Sequence, residues 1–142
     1  MPGTSRQSRS HLFRGQWGIL AVIAVGGALG AVARHALALA WPAAPEGVPW
    51  HTLVTNVSGS ALLGVIIVLV SEVRTAHRLV RPFLGTGVLG GFTTFSLHTD
   101  EIIVLAEHAR VWAAAGYSLL TLVASLAGAW AGMRFTRAIA SR

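Results

Sequence analysis

The stretch GGFTTFSLHTDE, Gly90 to Glu101, puts hydroxyls, an imidazole and two carboxylates inside an otherwise apolar run. Gly85, Gly87, Gly90 and Gly91, followed by Thr93 and Thr94, are poor helix formers, so a break is expected here. A break frees backbone carbonyls and amides that lipid cannot satisfy, and protein, water or an ion must take them up. Carbonyls turned inward would suit a hard cation such as Na⁺. Phe92 and Phe95 follow at helical spacing, and the positive edge of an aromatic ring can approach an anion favourably. Packing or lipid-facing rings are the commoner use of such residues. His98, Asp100 and Glu101 carry the donor types of a transition-metal site, but nothing at fitting spacing completes one. No nucleophile–base pair stands at credible spacing either, so no enzyme is expected.

Further polar residues lie in the neighbouring apolar runs. Thr52, Asn56, Ser60 and Gly64 recur every fourth residue, which places them on one slowly drifting helical stripe. They serve equally as interhelical glue, worth about 0.6–2 kcal/mol in membranes, or as a pore lining. Tyr117, Thr121 and Ser125 repeat the spacing. Their hydroxyls either bond back to carbonyls one turn away or donate to an ion. Two such stripes on different helices favour a shared polar track. Arg34 either snorkels to the interface or lines a vestibule where its charge concentrates anions. Gly26-x-x-x-Gly30 and Gly128-x-x-x-Gly132 are expected to mark close helix packing.

The elements that must position these residues follow from composition. The chain is 54% hydrophobic and only 11% charged, with a mean hydropathy of +0.64, whereas a soluble domain carries roughly 25% charged residues. An all-α membrane protein with four spans is expected, at about 17–40, 52–70, 82–106 and 111–133, the third broken in its middle. Residues 1–16 and 134–142 are expected as tails, and WPAAPEGVPW as a loop punctuated by Pro42, Pro45 and Pro49. ALALAWP resembles a signal-cleavage site, but the preceding run is too long and carries Arg34, so a spanning helix is preferred. The sequon Asn56-Val57-Ser58 lies inside a span, out of reach of a transferase. There is no cysteine and therefore no disulfide framework.

The net charge of +6 arises from arginine alone on the basic side. Arginines at the ends of apolar runs point to membrane flanking rather than nucleic acid. Arg6, Arg9 and Arg14, then Arg74, Arg78 and Arg81, then Arg134, Arg137 and Arg142 fall on one side, against Arg110 and Arg34. Both termini are therefore expected in the cytoplasm, with the chain multi-pass in the membrane.

GGALGAVARH (26–35), TNVSGSALLG (55–64) and GTGVLGGFTTFS (85–96) together resemble the Fluc, or CrcB, family of bacterial fluoride channels, across essentially residues 17–133. The resemblance implies an antiparallel dimer of four-helix subunits enclosing two narrow pores around a central structural Na⁺. The carbonyls of Gly90 and Thr93 would then help to hold the sodium. Asn56, Phe95, Ser96, His98, Tyr117, Thr121, Ser125 and Arg34 would belong to the fluoride pathway, with Glu101 an acid just past the aromatic pair. The implied function is passive expulsion of fluoride.

Two departures from the family pattern matter. His98 stands where a second phenylalanine is usual. The arginine bias is strong for a chain that would insert both ways, and it implies a heterodimer with a paralogous subunit of opposite topology. Beside a conducting subunit stands a second reading, a non-conducting structural partner. A third, a proton-coupled exporter, lacks an embedded carboxylate in the first, second and fourth spans.

Overall fold

The computed structural model describes residues 16–44, 47–73 and 77–141. The expected N-terminal tail up to residue 15, Pro45, Arg74 and Arg142 lie outside the described residues. Among those described, the structure is helical throughout, without a strand. Helix α1 spans Trp17–Ala40, α2 spans Trp50–Val68, and a π-helical turn, Leu69–Val73, prolongs α2. Helix α3 is π-helical over Pro82–Leu89 and ends in one α turn, Gly90–Phe92. Helix α4 spans Ser96–Glu107 and α5 spans Val111–Ala140.

Among the described residues, three helices are long and apolar enough to cross a membrane: Trp17–Ala40, Trp50–Glu72 and Val111–Ala140. The third apolar run is instead divided into α3 and α4, as its glycines and threonines lead one to expect. Pro42 cannot prolong α1, and α2 starts directly after Pro49. The reversal from α4 to α5 is tight. Arg110 N–H reaches back to Leu105 O at 3.0 Å and Ala109 N–H to Ala106 O at 3.1 Å, the bond pair of a Schellman ending. Ala109 takes the left-handed conformation there (φ 59°).

The helices associate as two pairs, α1 along α3 and α2 along α5, while α1 and α2 scarcely touch. Small residues allow this. A Cβ on Gly30 would run into the Val88 carbonyl and the Phe92 amide, and one on Gly132 into the Ala61 carbonyl. Both repeats, Gly26-x-x-x-Gly30 and Gly128-x-x-x-Gly132, therefore lie where backbones come close, as expected for packing between apolar helices. Large apolar side chains such as Leu29, Val32, Leu122 and Leu126 face outward. Buried polar residues include Thr52, Thr55, Asn56, His98 and Thr121.

Candidate functional site

The site is built on the break between α3 and α4. Thr93 adopts an extended conformation (φ −76°, ψ 157°) and ends the helical turn. Its amide and its hydroxyl both donate to Leu89 O, each at 2.9 Å. Thr94 is gripped from α2: its N–H donates to Asn56 Oδ1 at 2.8 Å, and Asn56 Nδ2 donates to Thr94 O at 3.0 Å. The hydroxyl of Thr94 in turn accepts from Leu97 N–H at 3.2 Å, covering one amide of the first turn of α4. From α1, Arg34 Nε donates to Gly91 O at 3.3 Å. Asn56 and Arg34 thus hold the break from two sides.

This bonding has a consequence for two carbonyls. In an unbroken helix Thr94 N–H would bond Gly90 O, and Leu97 N–H would bond Thr93 O. Both donors are diverted, one to Asn56 and one to the Thr94 hydroxyl. Gly90 O and Thr93 O lose their usual helical donors and become available as oxygen ligands. Both residues also line the large cleft, so the donor set fits a hard cation.

That cleft encloses about 570 Å³ between the break, α2 and α5. Its walls include Asn56 and Ser60, then Gly90, Thr93, Phe95 and His98, then Thr121 and Ser125. Ring nitrogen Nδ1 of His98 and the hydroxyls of Thr121 and Ser125 are buried and have no hydrogen-bond partner in the protein. Back-bonding along α5 is thereby ruled out for Thr121 and Ser125. Elsewhere in the molecule it occurs freely: Thr55 to His51 O, Thr99 to Phe95 O and Thr136 to Gly132 O. Phe95, in contrast, stands 83% exposed at the edge of the cleft.

At one end the polar groups are closed on themselves. Glu101 accepts from the Thr52 hydroxyl at 2.6 Å and from the Tyr117 hydroxyl at 2.7 Å. His51 Nε2 lies 3.9 Å from the same carboxylate. The His98 ring meets Tyr117 edge-on, with centroids 4.7 Å apart and planes at 64°.

The structure therefore sorts the residues expected to form one pathway. Asn56, Phe95, His98, Thr121 and Ser125 meet around the cleft, together with Gly90 and Thr93. Tyr117 lies behind the wall, bound to Glu101. Thr52, expected on the stripe of Asn56 and Ser60, is likewise engaged by Glu101. Ser96 is exposed beside the break and does not line the cleft. Arg34 does not line the cleft; its Nε donates to Gly91 O. Sequence reasoning missed His51 and the clamp on Glu101. The available signal was that a carboxylate within an apolar run needs partners. It also missed Gly59, where a Cβ would strike the Thr93 methyl.

Comparison with known proteins gives a consistent result. Residues 21–133 match the model of the family described as CrcB-like protein, Camphor Resistance (CrcB). The chain is 47% identical over 118 residues to the fluoride-specific ion channel FluC 1 of Streptomyces coelicolor, covering 83% of this chain and 77% of that one. It is 50% identical over 110 residues to FluC 2 of Nocardia farcinica, covering 78% and 79%. Against FluC of Agrobacterium fabrum the identity is 40% over 120 residues, covering 83% and 95%.

Proposed function

The chain belongs to the CrcB family, and from that premise we infer that it is a subunit of a fluoride-selective ion channel which lowers cytoplasmic fluoride by passive efflux. The observation that carries this reading at the level of atoms is the cleft wall of buried, unpartnered Thr121 and Ser125 hydroxyls facing the Asn56–Thr94 clip. Fluoride is small and strongly hydrated, so a pore must replace its water with many close donors. Hydroxyls, the second N–H of Asn56 and the ring edge of Phe95 supply such contacts without a permanent charge that would trap the ion. Passage requires binding favourable enough to enter and weak enough to leave. Ser96 and Tyr117 would serve the same pathway from beside and behind the cleft.

Sodium is the cation assigned to the Gly90 and Thr93 carbonyls. When bound it would supply a fixed positive centre that holds the break open. The third run would cross the bilayer as two half-helices, α3 and α4, meeting at that break. Outward exposure of Phe95 and Gly90 supports a second subunit lying over this face, in an antiparallel dimer. The arginine bias makes the partner a paralogue of opposite topology. In that arrangement Arg78, Arg81, Arg134 and Arg137 lie at the cytoplasmic ends of their helices, with both termini inside a bacterial cell membrane. FluC 2 and FluC 3 of Streptomyces avermitilis are two relatives from one organism, which is compatible with paired subunits.

A second reading, a non-conducting partner that supports a conducting paralogue, draws on His98, an ionisable group in a wall that is otherwise neutral. Fluoride and chloride efflux from liposomes separates the two. Fluoride efflux with this chain and a second family member of its organism, without chloride leak, is expected. If Asn56→Leu or Thr121→Val in this chain left that efflux unaltered, the conducting reading would fail and the supporting role would stand.

A further inference from the structure

Of the residues that line the cleft, one alone is ionisable: His98. The residue is 6% exposed, and its Nδ1 has no partner. The ring is also fixed in direction. It rests edge-on against Tyr117, whose hydroxyl is tied to Glu101, and Glu101 is tied in turn to Thr52 of α2. An imidazole held this way cannot easily swing out of the wall.

We propose that His98 is a proton-dependent anion-binding position, so that a proton on its ring makes the cleft retain fluoride and slows its passage. The proposal rests on the channel reading above. A neutral imidazole offers one N–H and one acceptor, and the acceptor repels an anion. The protonated ring offers two donors and a full charge. In a cleft whose other walls are hydroxyls, amides and apolar groups, that charge changes the character of the site from weak hydrogen bonding to ion pairing.

The titratable surroundings of His98 are few. From α5 it meets the Tyr117 phenol, and on its own helix Glu101 lies one turn further along. From α2 the nearest such group is His51, set against the Glu101 carboxylate. Helix α3 brings only Gly85, Leu89 and Gly90 to the cleft. Glu101 already accepts from two hydroxyls, so it moderates the charge on His98 without occupying Nδ1.

The sign follows. Imidazole changes charge between about pH 5 and pH 8. Within that window conduction falls as the pH falls, because the anion leaves a charged site more slowly than a neutral one.

The experiment is fluoride efflux from liposomes holding the wild-type chain or His98→Phe, each alone and with a second family member of the same organism. Leak of HF through protein-free vesicles is measured and subtracted. The wild-type rate is expected to drop at least about tenfold between pH about 7.5 and about 5.5, the scale of one added charge in a partly screened site. In His98→Phe the ratio of the two rates is expected to approach one. Equal ratios in the two proteins overturn the proposal. A second readout does not depend on conduction: the ¹⁵N resonances of His98 followed between about pH 5 and pH 8, the range in which imidazoles change charge. Fluoride, and not chloride, is expected to move them toward the protonated form; resonances indifferent to fluoride overturn the proposal even where vesicles conduct. Vesicles that pass no fluoride at any pH count against the channel reading, and the resonances then decide for or against the anion site on their own.

Discussion

Glu101 and His98 sit on one face of α4, a single turn apart, yet their surroundings are opposite. Both carboxylate oxygens of Glu101 accept a hydroxyl proton, from Thr52 and from Tyr117. Nδ1 of His98 and the hydroxyls of Thr121 and Ser125 are buried too, yet they bond to nothing in the protein. An unsatisfied buried polar group costs about 1–3 kcal/mol. Several in one cleft, beside a carboxylate whose two oxygens are both matched, mark a contrast, although Nδ1 of His51 next to that carboxylate is itself buried without a partner. The closed cluster and the Asn56 clip hold the shape. The open wall is the surface that the proposed fluoride pathway would use.

Substitutions can break or sharpen this contrast. The largest effect is expected at the clip. Asn56→Leu leaves the N–H and the carbonyl of Thr94 without partners, a loss of about 2–3 kcal/mol. It should register as reduced resistance to unfolding in a detergent titration, together with loss of fluoride efflux. Tyr117→Phe comes next, since it removes one donor from Glu101 and keeps the ring against His98. About 1–2 kcal/mol is expected in the same titration, because interhelical hydrogen bonds within membranes are worth less than their charge would suggest.

The double substitution Thr121→Val with Ser125→Ala tests the other side. It removes buried hydroxyls that bond to no protein group, so stability should hold or rise, by up to about 1–3 kcal/mol. Fluoride efflux should nonetheless fall about tenfold, the equivalent of one lost hydrogen bond to the ion. If this pair destabilised the fold as much as Tyr117→Phe does, the distinction between closed and open regions would collapse. The smallest effect belongs to the exposed ion pair at the far end, where Arg137 meets Glu72 at 2.7 Å. Arg137→Ala should leave both the unfolding curve and efflux within error, as exposed pairs generally do.

Much of this arrangement was legible in the residues. The helical character followed from hydropathy, the two glycine repeats from their spacing, and the break from glycines and threonines in an apolar run. Asn56 could be singled out because a carboxamide there must find partners, although its partner, the Thr94 backbone, could not be read from spacing. Arg34 was harder. Snorkelling and lining a vestibule both suit an arginine near a helix end, and only the close approach of α1 to α3 brings the Gly91 carbonyl within reach. The α5 hydroxyls could equally have bonded back along their own helix. Their freedom depends on rotamer and on the space left by α4, which no periodicity records. Tyr117 and Thr52 share the spacing of cleft residues but are captured by Glu101, whose reach across two helices is a tertiary fact.

The π-helical turns of Pro82–Leu89 hold more residues per turn than an α-helix would over the same rise. In the language of insertion and deletion, the segment stores slack in residue number while keeping phase. Loss of one residue there could be absorbed by tightening to α geometry, with little change in where the chain ends or which way it faces. Loss of one residue from an α-helical stretch would instead turn every residue beyond it by about 100°. A frame-preserving single deletion within Pro82–Leu89 should therefore leave Thr94 facing Asn56, whereas one within Ser96–Glu107 should turn Glu101 away from Tyr117.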